Sequence, residues 1–80
     1  MKLPRDVDAH QLIKALARLG YRVTRQTGSH IRLSCAELES HSITVPNHSP
    51  LKVGTLNAIL SDVAAHLRID KADLIRRLFA

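Results

Sequence analysis

The sequence predicts an α+β fold of two layers: a three-stranded antiparallel sheet with helices packed on one face, in the order α-β-β-β-α, followed by a short C-terminal helix. Two observations point there. Apolar residues recur at three- and four-residue spacing near both ends of the 80-residue chain but at two-residue spacing between them. The connections within the middle stretch are too short for anything but antiparallel neighbours.

The first helix is predicted over Asp8 to Leu19, where Ala9, Leu12, Ile13, Leu16 and Ala17 share a face and Gln11, Lys14 and Arg18 lie opposite. Asp6 or Asp8 is the candidate N-cap, and Gly20 supplies the left-handed residue that ends many helices. From Tyr21 the period becomes two. Tyr21 and Val23 are expected on one side of a strand, with Arg22, Thr24 and Gln26 on the other. Thr27-Gly28-Ser29 is a turn. A second strand follows, with Ile31, Leu33 and Cys35 alternating against His30, Arg32 and Ser34. Residues 36 to 41 form a polar connection, and Ser42-Ile43-Thr44-Val45 is a third strand stopped by Pro46. The apolar face is then Val23, Ile31, Leu33, Ile43 and Val45, and the polar face carries Arg22, Thr24, His30, Arg32 and Thr44. After a loop containing Pro50, Leu56, Ile59, Leu60 and Val63 restore helical spacing through about His66, with Thr55 the expected cap. A last helix runs from Asp70 through Leu74, Ile75, Leu78 and Phe79, with Asp73 in its first turn.

An apolar content of 45% is enough for one core, and the length leaves room for a single domain over residues 1–80. Such a small domain buries only about 60 to 65% of its unfolded surface, so each apolar residue matters. Twelve Lys and Arg against seven Asp and Glu give a net charge of +5. That balance favours polyanionic partners, nucleic acid first and an acidic protein second. The one cysteine, Cys35, has no partner for an internal disulfide and alternates with the core positions. No signal-like apolar run opens the chain and no stretch approaches the roughly 20 apolar residues that cross a bilayer, so a cytoplasmic protein is expected.

Two histidines stand out for chemistry: His30, on the polar face just after the Gly-Ser turn, and His48, in the loop before the second long helix. An imidazole both accepts and donates a proton near neutral pH. RNA cleavage needs a base for the 2'-hydroxyl, an acid for the departing 5'-oxygen and cations for the phosphate. Arg22, Arg32 and Lys52 are the candidate cations, and the helix start at Gly54 and Thr55 offers free backbone N–H groups to a phosphate. Each has a plainer reading: a polar surface side chain for either histidine, an ordinary helix start for Gly54-Thr55. His10, His41 and His66 are expected to be solvated. Arg76 and Arg77 complement the dipole of the last helix.

Two separated stretches sharpen this reading. Gly28-Ser29-His30 is one; the other is Ile43-Thr44-Val45-Pro46-Asn47-His48, continuing through Leu51-Lys52-Val53-Gly54-Thr55-Leu56 to Ile59-Leu60. Together, with the helix ending in Leu-Gly-Tyr, they resemble the HicA family of toxin-antitoxin ribonucleases over about residues 8 to 63. The resemblance implies a fold similar to the double-stranded-RNA-binding domain and cleavage of messenger RNA without metal or cofactor. It also implies that His30 is required and that a HicB-type antitoxin protein covers the site. The match to His48 implies a site or structural role. The chain departs from the pattern after Val63, where Ala64 to Ala80 is longer and basic. Two other classes stay open: an RNA-binding module that does not cut, and a basic subunit that meets an acidic protein.

Overall fold

The computed structural model describes residues 6–35 and 41–79. Helix α1 (Ala9–Ala17), strands β1 (Tyr21–Gln26), β2 (His30–Cys35) and β3 (His41–Pro46), and helices α2 (Val53–Leu67) and α3 (Lys71–Phe79) follow one another in the expected order. The sheet is antiparallel with spatial order β1-β2-β3, so β2 is the central strand. Most of the polar connection at 36–41 lies outside the described residues.

Asp8 caps α1 through a capping box: its carboxylate accepts from the Gln11 N–H at 2.8 Å, and the Gln11 side chain accepts from the Asp8 N–H at 2.9 Å. Gly20 has φ 92°, the left-handed conformation that lets the chain leave α1 and enter β1. The buried face of α1 is Ala9, Leu12, Ala15 and Leu16. Ala15 therefore takes the inward place expected of Ala17: it follows Leu12 by three residues, whereas Ala17, five on, lies past the buried stripe and is exposed.

Helix α2 starts three residues earlier than expected. Lys52, not Thr55, occupies the N-cap and makes no side-chain capping bond, and Thr55 lies in the first turn. At the other end Arg68, with φ 58°, takes the left-handed cap position. The last helix is integral to the core: Leu74, Ile75 and Leu78 are buried, and α3 packs on both α1 and α2.

The core lies between the helices and one face of the sheet, where Leu12, Leu16, Tyr21, Ile31, Leu33, Val45, Leu60, Val63 and Leu74 are almost wholly shielded. Strand β1 departs from simple alternation. Its register against β2 shifts between Val23 and Arg25, so that Tyr21 faces Cys35, Val23 faces Leu33, Arg25 faces Arg32 and Gln26 faces Ile31. Residues paired across strands share a face. The bulge thus moves Arg25 onto the polar side and Gln26 onto the core side, reversing the placement expected of Gln26, and leaves Thr24 as the extra residue. Val23 is on the core side as expected but 45% exposed, while its partner Leu33 is fully buried, because helical cover runs out along this edge strand.

His41 and His66 are not solvated as expected. The rings stack at 4.2 Å, Tyr21 Oη lies 2.7 Å from His41 Nδ1, and His41 Nε2 lies 3.3 Å from Asp62 Oδ1. A carboxylate can only accept, so Nε2 carries a proton, and in the neutral ring Nδ1 accepts from the tyrosine hydroxyl. This chain of bonds ties β1 and β3 to α2. Burial, aided by the neighbouring Cys35 and Asp62 charges, pushes the Tyr21 phenol up to about 12. Below pH 10 the phenol is protonated in folded and unfolded chains alike, so its contribution to stability is fully present. Between pH 10 and about 12 only the unfolded chain ionises, and stability falls as pH rises. Tyr21→Phe is expected to cost about 1 kcal/mol at neutral pH through the lost hydrogen bond. It should also flatten the alkaline decline. Urea unfolding at pH 7 and across pH 9.5–12 checks both.

Candidate functional site

On β2 the odd residues Ile31, Leu33 and Cys35 are at most 1% exposed, which forces His30 and Arg32 to the opposite, helix-free face. That face holds His30 opposite Pro46, Arg32 between Arg25 and Thr44, and Ser34 between Arg22 and Ser42. The three strands contain three arginines and no carboxylate. The described carboxylates, Asp6, Asp8, Asp62, Asp70 and Asp73, all belong to the helices or the segments leading into them. Among the described residues, charge is therefore segregated by layer, and the open face of the sheet is cationic.

His30 is exposed and its surroundings hold it firmly. The Thr27 hydroxyl accepts from the His30 backbone N–H at 3.1 Å and donates to the His30 carbonyl at 3.2 Å, and the Thr27 N–H donates to that same carbonyl at 2.9 Å. The Ser29 hydroxyl lies 2.9 Å from the ring Nδ1. A hydroxyl either donates or accepts, so this contact suits both tautomers of the neutral ring and leaves Nε2 as a base in one and a donor in the other.

The turn before His30 is joined to the segment after β3. The Asn47 N–H donates to the Ser29 carbonyl at 3.0 Å and the Asn47 side chain to the Gly28 carbonyl at 3.4 Å. The two stretches that stand apart in the sequence, Gly28-Ser29-His30 and the run from Ile43 to His48, thus meet at one end of the sheet. The His48 carbonyl accepts from the Ala9 N–H at 3.1 Å, and the Leu51 N–H donates to the Val7 carbonyl at 2.8 Å, which pins this loop to the start of α1. His48 has an exposed ring and a backbone committed to that junction.

Lys52, Val53 and Gly54 are exposed at the start of α2, where the N–H of Leu56 is the first to bond back, to Lys52. The N–H groups of Val53, Gly54 and Thr55 therefore have no acceptor within the helix. A Cβ at Gly54 would meet nothing within 4 Å and the residue has no unusual φ, so the fold does not require glycine there. Among the described residues no group of three or more His, Cys, Asp or Glu could hold a metal ion, and no helix is long and apolar enough to cross a membrane.

Arg25 is the cation that alternation hides, since a two-residue period puts it with Tyr21 and Val23. The signal that could have revealed it is the run Thr24-Arg25-Gln26-Thr27, where no side chain suits a covered face.

The family model described as the HicA toxin of bacterial toxin-antitoxin systems matches residues 9–64. No curated protein and no solved structure matches the chain. The matched span covers α1, the sheet and most of α2, and α3 lies beyond it.

Thr27→Val, which deletes both hydroxyl bonds to His30, is expected to cost about 1 kcal/mol and to speed exchange of the His30 amide; Thr27→Ser should restore both. Denaturant titration and hydrogen exchange followed by NMR measure these.

Proposed function

The chain belongs to the HicA toxin family, and on that premise we propose that it is an endoribonuclease that cleaves messenger RNA without a metal, with His30 as its proton-transfer residue. Membership makes it a toxin of a toxin-antitoxin system with an antitoxin counterpart, in a family known for ribonuclease activity. The carrying observation is the setting of His30: exposed, at the head of the central strand, on the face it shares with Arg32, where no described residue is a carboxylate.

In this reading a base removes the proton of a 2'-hydroxyl, O2' attacks the adjacent phosphorus, and the P–O5' bond breaks as the 5'-oxygen takes up a proton. The products are a 2',3'-cyclic phosphate and a 5'-hydroxyl, with no net gain or loss of protons. His30 Nε2 serves one of the two transfers, and Ser29 holds the ring in place. Arg22, Arg32 and Lys52 offset phosphate charge, the free N–H groups at Gly54 and Thr55 donate to a phosphate oxygen, and His48 is the candidate second proton carrier. DNA, without the 2'-hydroxyl, is not a substrate. The antitoxin is a HicB-type protein whose acidic surface covers the cationic face, and the toxin acts in the cytoplasm as one domain over residues 1–80.

Purified protein is expected to degrade single-stranded RNA in EDTA, leaving 2',3'-cyclic phosphate ends, and His30→Ala to slow this by at least about 100-fold with an unchanged melting temperature. Intact RNA with undiminished binding would instead make the chain an RNA-binding module. Gly54→Ala separates the helix start from the fold. Better helix propensity should raise stability by roughly 0.5 to 1 kcal/mol, while the methyl group obstructs a phosphate and lowers the cleavage rate. Thermal melts and initial rates on the same sample decide; unchanged cleavage would remove Gly54 and Thr55 from the site.

A further inference from the structure

We infer that Arg25 and Arg32 form a two-arginine seat for a single RNA phosphate, created by the bulge in β1 and lying next to, rather than at, the bond cleaved at His30. The observation behind it is the register. Arg25 and Arg32 are direct cross-strand partners, both exposed, on the helix-free face. Opposed residues in an antiparallel pair have Cβ atoms about 4.5–5.5 Å apart, and like charges so placed repel and destabilise the sheet. Among the described residues neither guanidinium has a carboxylate partner, and the strands supply none.

Nothing in the packing asks for this arrangement. Unbroken alternation would keep Arg25 off the face and out of Arg32's way. The bulge instead spends Thr24 as an unpaired residue, with its hydroxyl donating to the Arg32 carbonyl at 3.4 Å, and turns Arg25 toward Arg32. Bulges recur where a side chain has to be re-aimed for function. Two guanidinium forks side by side match the oxygens of one phosphate, and an anion between them turns repulsion into attraction.

Position along the strand separates this seat from the cleavage point. His30 and Arg32 are two residues apart on β2, hence about 7 Å, close to one nucleotide of an extended strand. With the attacked phosphate at His30, its neighbour falls at Arg32 and Arg25, and Arg22 continues the cationic track one pleat further, opposite Ser34. Arg25 is thus a substrate-holding residue, and its loss acts on binding.

The inference rests on the RNA-directed reading of the chain, so the test uses a ligand that can be bound but not cut: a single-stranded 2'-O-methyl oligonucleotide, followed by fluorescence anisotropy over a salt series. Arg25→Gln is expected to weaken binding roughly five- to tenfold and to flatten the log–log salt dependence by up to about 0.7, the value for one phosphate wholly lost on a single strand, since Arg32 still faces that phosphate. Its melting temperature should be equal to or above wild type, since the repulsion is relieved. Arg77→Gln, which removes the same charge from α3, should change binding less than twofold. Equal weakening by the two variants would reduce the effect to net charge and overturn the seat, as would wild-type affinity of Arg25→Gln or a loss of stability in it. If the oligonucleotide is not bound by wild-type protein, the seat fails together with the reading beneath it. If wild-type protein binds it but leaves ordinary RNA intact, and the Arg25→Gln effect persists, cleavage fails and the seat stands.

Discussion

The two-sided pairing of β2 is the constraint from which the rest follows. Its six residues are registered against β1 on one side and β3 on the other, so its side chains have no freedom to choose a face. With Ile31, Leu33 and Cys35 committed to the core, His30 and Arg32 are committed to the opposite side. A one-residue slip would drive an imidazole and a guanidinium beneath the helices and expose three apolar side chains, an exchange costing several kcal/mol per side chain. The placement of the candidate site is therefore enforced by the hydrophobic core.

The same division explains how the sheet carries so much positive charge. The described carboxylates go to helix starts and helix surfaces: Asp8 caps α1, Asp62 meets His41, and Asp73 pairs with Arg76 on α3. None is on a strand, so the open face keeps its charge available for a partner. The stability that such a face gives up must come from apolar burial, and α3 contributes to it. Leu74, Ile75 and Leu78 fill the space against α1 and α2 beyond the residues that the family model matches, and truncating any one of them would cost about 2 to 5 kcal/mol.

Element order, sheet sense, the core faces of β2 and β3, an aspartate cap on α1 (Asp8 of the two candidates) and the Gly20 turn were all legible, because each is set by local chemistry or by an unbroken period. The misses have the opposite character. The bulge that re-aims Arg25 and Gln26 is a property of pairing between strands, and alternation within one strand is blind to it. Val23 obeys its period yet is exposed, since burial depends on where the helices end. Thr55 has good capping chemistry but yields to Lys52, because tertiary bonds fix the chain just ahead of α2: the loop is tied to the start of α1 through His48 and through Leu51, the residue before the cap. His41 was within reach. Two-residue spacing already aligned it with Ile43 and Val45 on the core face, and only the assumption that the strand began at Ser42 set it outside.

His41 and His30 also show why one of two well-ordered histidines is suited to chemistry. His41 has both ring nitrogens engaged, one by a hydroxyl beneath the sheet edge and one by a carboxylate, and a second ring lies flat against it. Its tautomer is fixed by Asp62, and a proton moved from it would leave two partners unsatisfied. His30 has one nitrogen engaged, by a serine hydroxyl that either donates or accepts, and lies exposed on the face that carries Arg32. Proton transfer in both directions needs that reversibility. The fold spends one histidine on holding β1, β3 and α2 together and leaves the other able to change state.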